Sequence, residues 1–161
     1  PGGSADLAHV VLTRRAQHLR IHRGEVSFPG GGQDPGEDLW RTALREAHEE
    51  VGLSPDAVDV LAALDPLDTH ATGFRVHAFV CRVPADTAWQ PLPGEIAGIL
   101  TPHVAALGAP DARRTLPFTS SRCPEPLLVE GVDVEGHVLW GLTLRLLDDV
   151  VPRLLDGDWD I

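Results

Sequence analysis

Residues 31–53, GGQDPGEDLWRTALREAHEEVGL, decide the fold of this chain because they predict one well-delimited amphipathic helix after a glycine-rich turn. The apolar residues of the segment recur at helical spacing: Trp40, Ala43, Leu44, Ala47 and Val51. Asp38 suits the N-cap, and Gly52 suits the C′ position just beyond the last turn. We therefore predict a helix over Leu39–Val51.

Three carboxylates share one flank of this helix. Glu46, Glu49 and Glu50 stand at i, i+3 and i+4, and at about 100° per residue they lie beside and behind the apolar stripe, so we expect them outside the core. Like charges at this spacing repel by roughly 0.2 to 0.5 kcal/mol per pair, and a cation between them relieves the repulsion. Oxygen ligands suit Mg²⁺ or Mn²⁺. A solvated acidic face is the simpler alternative.

The turn before the helix favours the metal site over the solvated face. Glycines at positions 30 to 32 allow the backbone to approach other groups closely. Glu37 enters just before the N-cap, where its carboxylate can interact with the positive end of the helix and with the loop.

The same residues resemble the Nudix box. The chain matches the family pattern at each charged and glycine position: Gly31, then five residues and Glu37, then seven residues and the run REAHEEVGL over residues 45–53. Ala47 stands where the family usually has a larger aliphatic residue. The resemblance implies an α/β class fold, the Nudix α/β/α sandwich with a mixed sheet and a loop-helix-loop catalytic motif shaped by Gly31 and Glu37. It implies an enzyme that hydrolyses a nucleoside diphosphate linked to another moiety.

The resemblance also implies a role for each charged residue of the box. Glu46 and Glu50 would be the principal metal ligands, and Glu49 a third ligand or the proton acceptor. Arg45 would hold and orient these carboxylates. The base of some family members lies outside the box, and Glu95, at the start of a predicted strand, is the candidate for that position.

A second resemblance concerns the substrate. The segment before the box is similar to the signature of the coenzyme A pyrophosphatase subgroup. It consists of the run LTRRA over residues 12–16, Arg20, Gly24 and the run FPGG over residues 28–31, with three residues between successive parts. Val11 stands where that signature usually has Leu. This resemblance implies that coenzyme A is the substrate and that the products are 3′,5′-ADP and 4′-phosphopantetheine.

Coenzyme A carries three phosphate groups, and the segment before the box supplies arginines for them. All thirteen basic side chains of the chain are Arg, whose planar fork binds phosphate bidentately. Arg20 is the first candidate for a substrate contact, Arg15 and Arg23 are the next, and Gly30 and Gly31 let the backbone approach the substrate. Two alternatives remain: a Nudix hydrolase for ADP-ribose, a dinucleotide or a damaged nucleotide, and a non-catalytic Nudix domain that senses nucleotides.

Composition limits the class of protein. The 161 residues fit one domain, and a net charge of −11 disfavours nonspecific binding to nucleic acid. No apolar run approaches the ~20 residues of a membrane span, and we find no secretory leader, so we expect a cytoplasmic protein without a membrane partner. Cys81 and Cys123 lack CxxC spacing, which favours a reducing compartment. His18 and His22 stand at i and i+4, but solvent or phosphate contact fits them better than a metal.

The rest of the chain predicts strands and a second helix. The predicted strands are residues 7–13, 25–28, 58–64, 74–83, 95–100 and 127–140, the last with a hairpin turn at residues 134–136. A Leu-rich helix is predicted over residues 142–155 until Pro152 disturbs it. We expect one domain over residues 1–161, with an upstream segment supplying a strand ahead of the first one. The sequence leaves the oligomeric state open.

Overall fold

The structure is a computed structural model that describes residues 7–20, 24–70, 72–119, 124–159 and 161. Its elements in chain order are β1 Leu12–Arg15, β2 Val26–Ser27, α1 Leu39–Val51, β3 Asp59–Ala63, β4 Leu67–Asp68, β5 Arg75–Val76, β6 Phe79–Arg82, β7 Ile96–Leu100, α2 Val104–Leu107, β8 Arg113–Phe118, β9 Leu127–Val134, β10 His137–Trp140 and α3 Gly141–Leu155. This combination of strands and helices confirms the α/β class. Residues 1–6, His22, Arg23 and Cys123, about which the sequence made predictions, lie outside the described residues.

The chain divides into two compact units, of which the first is Pro1–Phe28 with Pro91–Ile161. It contains two antiparallel sheets, ordered β2-β1-β7 and β10-β9-β8, together with α2 and α3. Its buried core is aliphatic and is built largely from α3 and the strands: Leu12, Val104, Leu139, Leu144, Leu147, Val151 and Leu154. The second unit, Pro29–Gln90, contains the glycine-rich loop, α1 and the antiparallel pairs β3-β6 and β4-β5.

All strand pairs among the described residues are antiparallel. The parallel pair that a mixed sheet requires is not among them. No helix within the described ranges is long and apolar enough to cross a membrane.

Several strand boundaries differ from the sequence prediction. The first strand runs over Leu12–Arg15 rather than residues 7–13; Leu7 is 73% exposed, and His9 makes only an isolated bridge to His103. The single strand predicted over residues 74–83 is two strands, β5 and β6, which pair with different partners. Alternation of apolar residues cannot reveal such a change of partner, because each half keeps the same pattern.

Two proline positions account for further differences. β8 was not predicted, because Pro117 and two arginines obscure it; it lies at the edge of its sheet, where proline is tolerated. α3 continues through Pro152 to Leu155, contrary to the prediction that it is disturbed there. Val151 and Leu154 on either side of Pro152 are buried, and their burial offsets the hydrogen bond that proline cannot donate.

Candidate active site

Helix α1 positions the acidic residues, and its ends are fixed by local bonds. The Asp38 carboxylate accepts a hydrogen bond from the backbone N–H of Arg41 at 2.9 Å and so caps the amino end. Gly52 ends the helix in the left-handed conformation, with φ of 72°. Ala47 and Val51 are buried, and the Trp40 ring packs edge-on against Phe79 with 5.1 Å between centroids. These contacts fix the rotation of the helix about its axis.

The first loop contact holds Glu46 against Gly31. A Cβ placed on Gly31 would lie 2.5 Å from Oε2 and 2.6 Å from Oε1 of Glu46. Only glycine therefore allows the carboxylate to lie this close to the backbone.

The second loop contact holds Glu50. The backbone N–H of Gly30 donates a hydrogen bond of 3.0 Å to Oε2 of Glu50. Glu50 is only 6% exposed. The expectation that all three glutamates lie outside the core is therefore wrong for Glu50. The loop covers this carboxylate and supplies a partner, which is what a buried charged group requires.

Arg45 is the hub of the charged network in this unit. Its Nε and Nη2 donate to the two oxygens of Glu37 at 3.0 and 3.1 Å, and its Nη1 donates to Glu46 Oε1 at 3.0 Å. The same Nη1 lies 3.4 Å from both oxygens of Glu49. Nη2 also donates to the carbonyl oxygen of Gly32 at 3.1 Å. One guanidinium thus links the loop to two of the three flank carboxylates.

The pKa values of Arg45 and Glu37 respond to this network. Hydrogen bonding from Arg45, and next from the hydroxyl of Thr42, lowers the pKa of Glu37 to about 2. The hydrogen bond to Glu37 is also the main cause that raises the pKa of Arg45 above its usual value. Both groups therefore stay charged throughout the neutral pH range.

The sequence prediction missed Thr42, which is buried at 5% exposure. Its hydroxyl donates to Glu37 Oε2 at 2.7 Å and lies 3.1 Å from the carbonyl oxygen of Asp38. A threonine in the first turn after an N-cap is the only signal in the sequence, and it is a weak one.

The donor set fits a hard divalent cation. Glu46, Glu49 and Glu50 offer only carboxylate oxygens, and two of them are held at fixed places by glycines of the loop. Within the described ranges, no three His, Cys, Asp or Glu side chains already converge as a metal site. The side chain of Glu49 is 51% exposed and that of Glu46 is 17% exposed, and both contact Arg45. Mg²⁺ typically requires only one or two protein carboxylates, since waters and phosphate supply its other ligands.

The remaining predicted residues lie in the first unit. Nη1 of Arg15 lies 3.6 Å from Oε1 of Glu95, with the two side chains 29% and 41% exposed. Arg20 is exposed in the turn region after β1 and has no ion-pair partner among the described residues. His18 is also exposed there, and Arg23 lies outside the described residues.

Known proteins are similar to this chain in sequence and in fold. A family model described as NUDIX domain matches residues 4–118. An uncharacterized Nudix hydrolase, NudL, of Salmonella enteritidis PT4 is 35% identical over 146 residues, which are 90% of this chain and 74% of that protein. DR0079 from Deinococcus radiodurans has a TM-score of 0.55 at 17% identity, over 88% of this chain and 74% of its own. The NUDIX domain of Shewanella oneidensis NrtR, complexed with ADP ribose, has a TM-score of 0.54 at 17% identity, over 91% and 77%.

Proposed function

Because this chain belongs to the Nudix hydrolase family, we propose that it is a Mg²⁺-dependent pyrophosphohydrolase that cleaves coenzyme A to 3′,5′-ADP and 4′-phosphopantetheine. Members of the family generally use divalent metal ions, commonly Mg²⁺, and Mn²⁺ is a possible substitute. The observation that carries the catalytic part is the pair of glycine contacts that hold Glu46 and Glu50 on α1.

Each box residue has a separate task in the proposed reaction. Glu46 and Glu50 are the principal metal ligands, and Glu49 is the third ligand or the proton acceptor. Arg45 keeps Glu46 and Glu49 on one flank through its Nη1 contacts. A cation held by these residues would neutralise diphosphate charge and would lower the pKa of the attacking water.

The bond changes follow from the diphosphate chemistry. A water oxygen forms a bond to one phosphorus, the bridging P–O bond breaks, and the leaving phosphate keeps the bonding electrons. The proton of the water passes to a carboxylate, a transfer that typically contributes about 10² to 10⁴ in rate. Glu49 suits this task because it is half exposed and its contacts with Arg45 are long, at 3.4 Å.

The choice of coenzyme A rests on the arginines before the box. Arg20 is exposed and has no ion-pair partner among the described residues, so its guanidinium is available to a phosphate of the substrate. Arg15 is the second proposed contact, and Arg23 is a third. Gly30 and Gly31 would let the loop backbone approach the substrate.

Product identification tests the proposal. The protein is incubated with coenzyme A and Mg²⁺ or Mn²⁺, and the products are separated and identified by mass spectrometry. ADP-ribose, dinucleotides and oxidised nucleotides are assayed in the same way as alternative substrates. We expect 3′,5′-ADP and 4′-phosphopantetheine from coenzyme A at the highest kcat/KM of the panel. A higher kcat/KM for another compound would mean that this compound, and not coenzyme A, is the preferred substrate. Binding of the compounds without turnover of any of them would favour a nucleotide sensor.

A further inference from the structure

An irregularity in the β1–β7 pairing sets the position of Arg15. Arg14 is opposite Gly98, but the next residue, Arg15, is opposite Ile96, so Ala97 is the extra residue of a bulge in β7. Bulges redirect side chains and are frequent beside functional sites. The Arg15 backbone is nevertheless well held: its N–H donates to the carbonyl oxygen of Glu25 at 3.0 Å.

The same bulge brings Glu95 beside Arg15. The N–H of Ala16 donates to the carbonyl oxygen of Glu95 at 2.8 Å, which fixes the residue that immediately precedes β7. The Glu95 carboxylate then lies 3.6 Å from Nη1 of Arg15, close enough for an ion pair but too long for a hydrogen bond.

Arg15 has donors that no described residue uses. Its Nε is buried without a hydrogen-bond partner in the described part of the chain, so the 29% exposure of the side chain belongs to its other atoms. Arg45 is the opposite case, since Glu37, Glu46, Glu49 and Gly32 accept its hydrogen bonds. The buried Nε cannot reach a ligand, but Nη1 and Nη2 make no hydrogen bond to a described residue, and such N–H groups are suited to bind an anion.

We propose that Glu95 is a positioning residue, which holds the Arg15 guanidinium so that the N–H groups of Nη1 and Nη2 bind a phosphate oxygen of the substrate, and that it is not the base that collects the proton. This inference rests on the proposed function for the identity of the substrate. The claim that the Arg15–Glu95 pair binds phosphate does not depend on which phosphorylated compound is the substrate.

The two roles of Glu95 predict opposite kinetics. Glu95→Gln keeps the size of the side chain and removes its charge. If Glu95 positions Arg15, KM for the phosphorylated substrate rises by about threefold to tenfold while kcat stays within about twofold. If Glu95 were the base, kcat would fall by about 10² to 10⁴ and the pH–rate profile would change on its acidic side.

Binding measurements without metal separate this inference from the choice of substrate. Calorimetric titration of the metal-free protein with inorganic pyrophosphate and with 3′,5′-ADP is made for the wild type, Arg15→Ala, Glu95→Gln and the double variant. We expect Arg15→Ala to weaken the binding of at least one ligand by about tenfold or more. Glu95→Gln should weaken it less, and the double variant no more than Arg15→Ala, because both act through one contact.

Asp59→Asn is the matched control, because it removes the carboxylate of a different Arg–carboxylate ion pair, 2.9 Å from Arg82, to which the proposed function assigns no role. It should leave binding and kcat unchanged, and circular dichroism checks that each variant is folded. The inference is overturned if Glu95→Gln lowers kcat a hundredfold with binding intact, or if either Arg15→Ala or Glu95→Gln leaves the binding of both ligands unchanged. Weakened pyrophosphate binding in a protein that does not hydrolyse coenzyme A would reject the substrate and keep the phosphate-binding unit.

Discussion

Replacing Gly31 by Ala tests the contact that holds Glu46. The new Cβ would lie 2.5 Å from Oε2 of Glu46, so this oxygen must move by about 0.9 Å to reach the 3.4 Å of an ordinary contact. A displacement of about 1 Å in a catalytic group can cost about 10² in rate. We therefore expect kcat for coenzyme A to fall about a hundredfold in Gly31→Ala.

The neighbouring glycine provides the control. Neither Gly31 nor Gly32 has a left-handed φ, and a Cβ on Gly32 meets no atom within 4 Å. Gly32→Ala should therefore keep nearly full activity. Both variants should unfold at or slightly above the wild-type temperature, because the moving group is the flexible end of a side chain and alanine restricts the unfolded chain.

The assay is steady-state hydrolysis at saturating Mg²⁺, with thermal unfolding followed by circular dichroism. Equal turnover in Gly31→Ala and Gly32→Ala would refute the reasoning, since it would mean that the position of Glu46 does not matter. A loss of activity accompanied by a lower unfolding temperature would also refute it, because the damage would then be to folding.

Three further predictions concern single side chains. Glu50→Gln can still accept the Gly30 N–H but loses a ligand charge, so we expect kcat to collapse while the unfolding temperature stays close to that of the wild type; near wild-type turnover at saturating Mg²⁺ would remove Glu50 from the site. Arg20→Ala should lower kcat/KM by about tenfold to a hundredfold, equivalent to roughly 1.5 to 3 kcal/mol, and a comparison with dephospho-coenzyme A identifies the phosphate involved; unchanged kinetics on both compounds would reject the contact. The pKa of Glu37 is lowered from 4.5 to about 2 in the folded protein, so its contribution to stability is present above pH 4.5 and is lost as the pH falls towards about 2. Between pH 4.5 and about 2, the free energy of unfolding should therefore fall less steeply with decreasing pH in Glu37→Gln than in the wild type, and Glu37→Gln should also be less stable at pH 7. Identical slopes in the two proteins would contradict the Arg45–Glu37 linkage.

Helix α1 was predictable because its signals are local. Asp38 caps the first turn, Gly52 ends the last one, and the observed bounds Leu39–Val51 are those predicted from the sequence. Each of these signals depends on residues within about four positions, where helix geometry alone decides which groups meet. The hairpin of β9 and β10 was equally accessible, because its turn residues follow a clear alternating pattern.

Long-range contacts explain what the sequence did not show. The burial of Glu50 depends on an N–H twenty positions earlier in the chain, and helical periodicity contains no information about that loop. The bulge beside Arg15 depends on its register with β7, some eighty positions away. β8 is a strand only because β9 pairs with it along six residues. In each case tertiary pairing overrides the local preference.

The arrangement around Arg45 has a consequence for folding in the absence of metal. Its guanidinium is an internal counter-ion that contacts Glu37, Glu46 and Glu49, so the chain itself compensates one of the negative charges around α1 before any cation binds. We therefore expect the metal-free protein to fold, in contrast to small domains whose unfolded chains require a metal to fold.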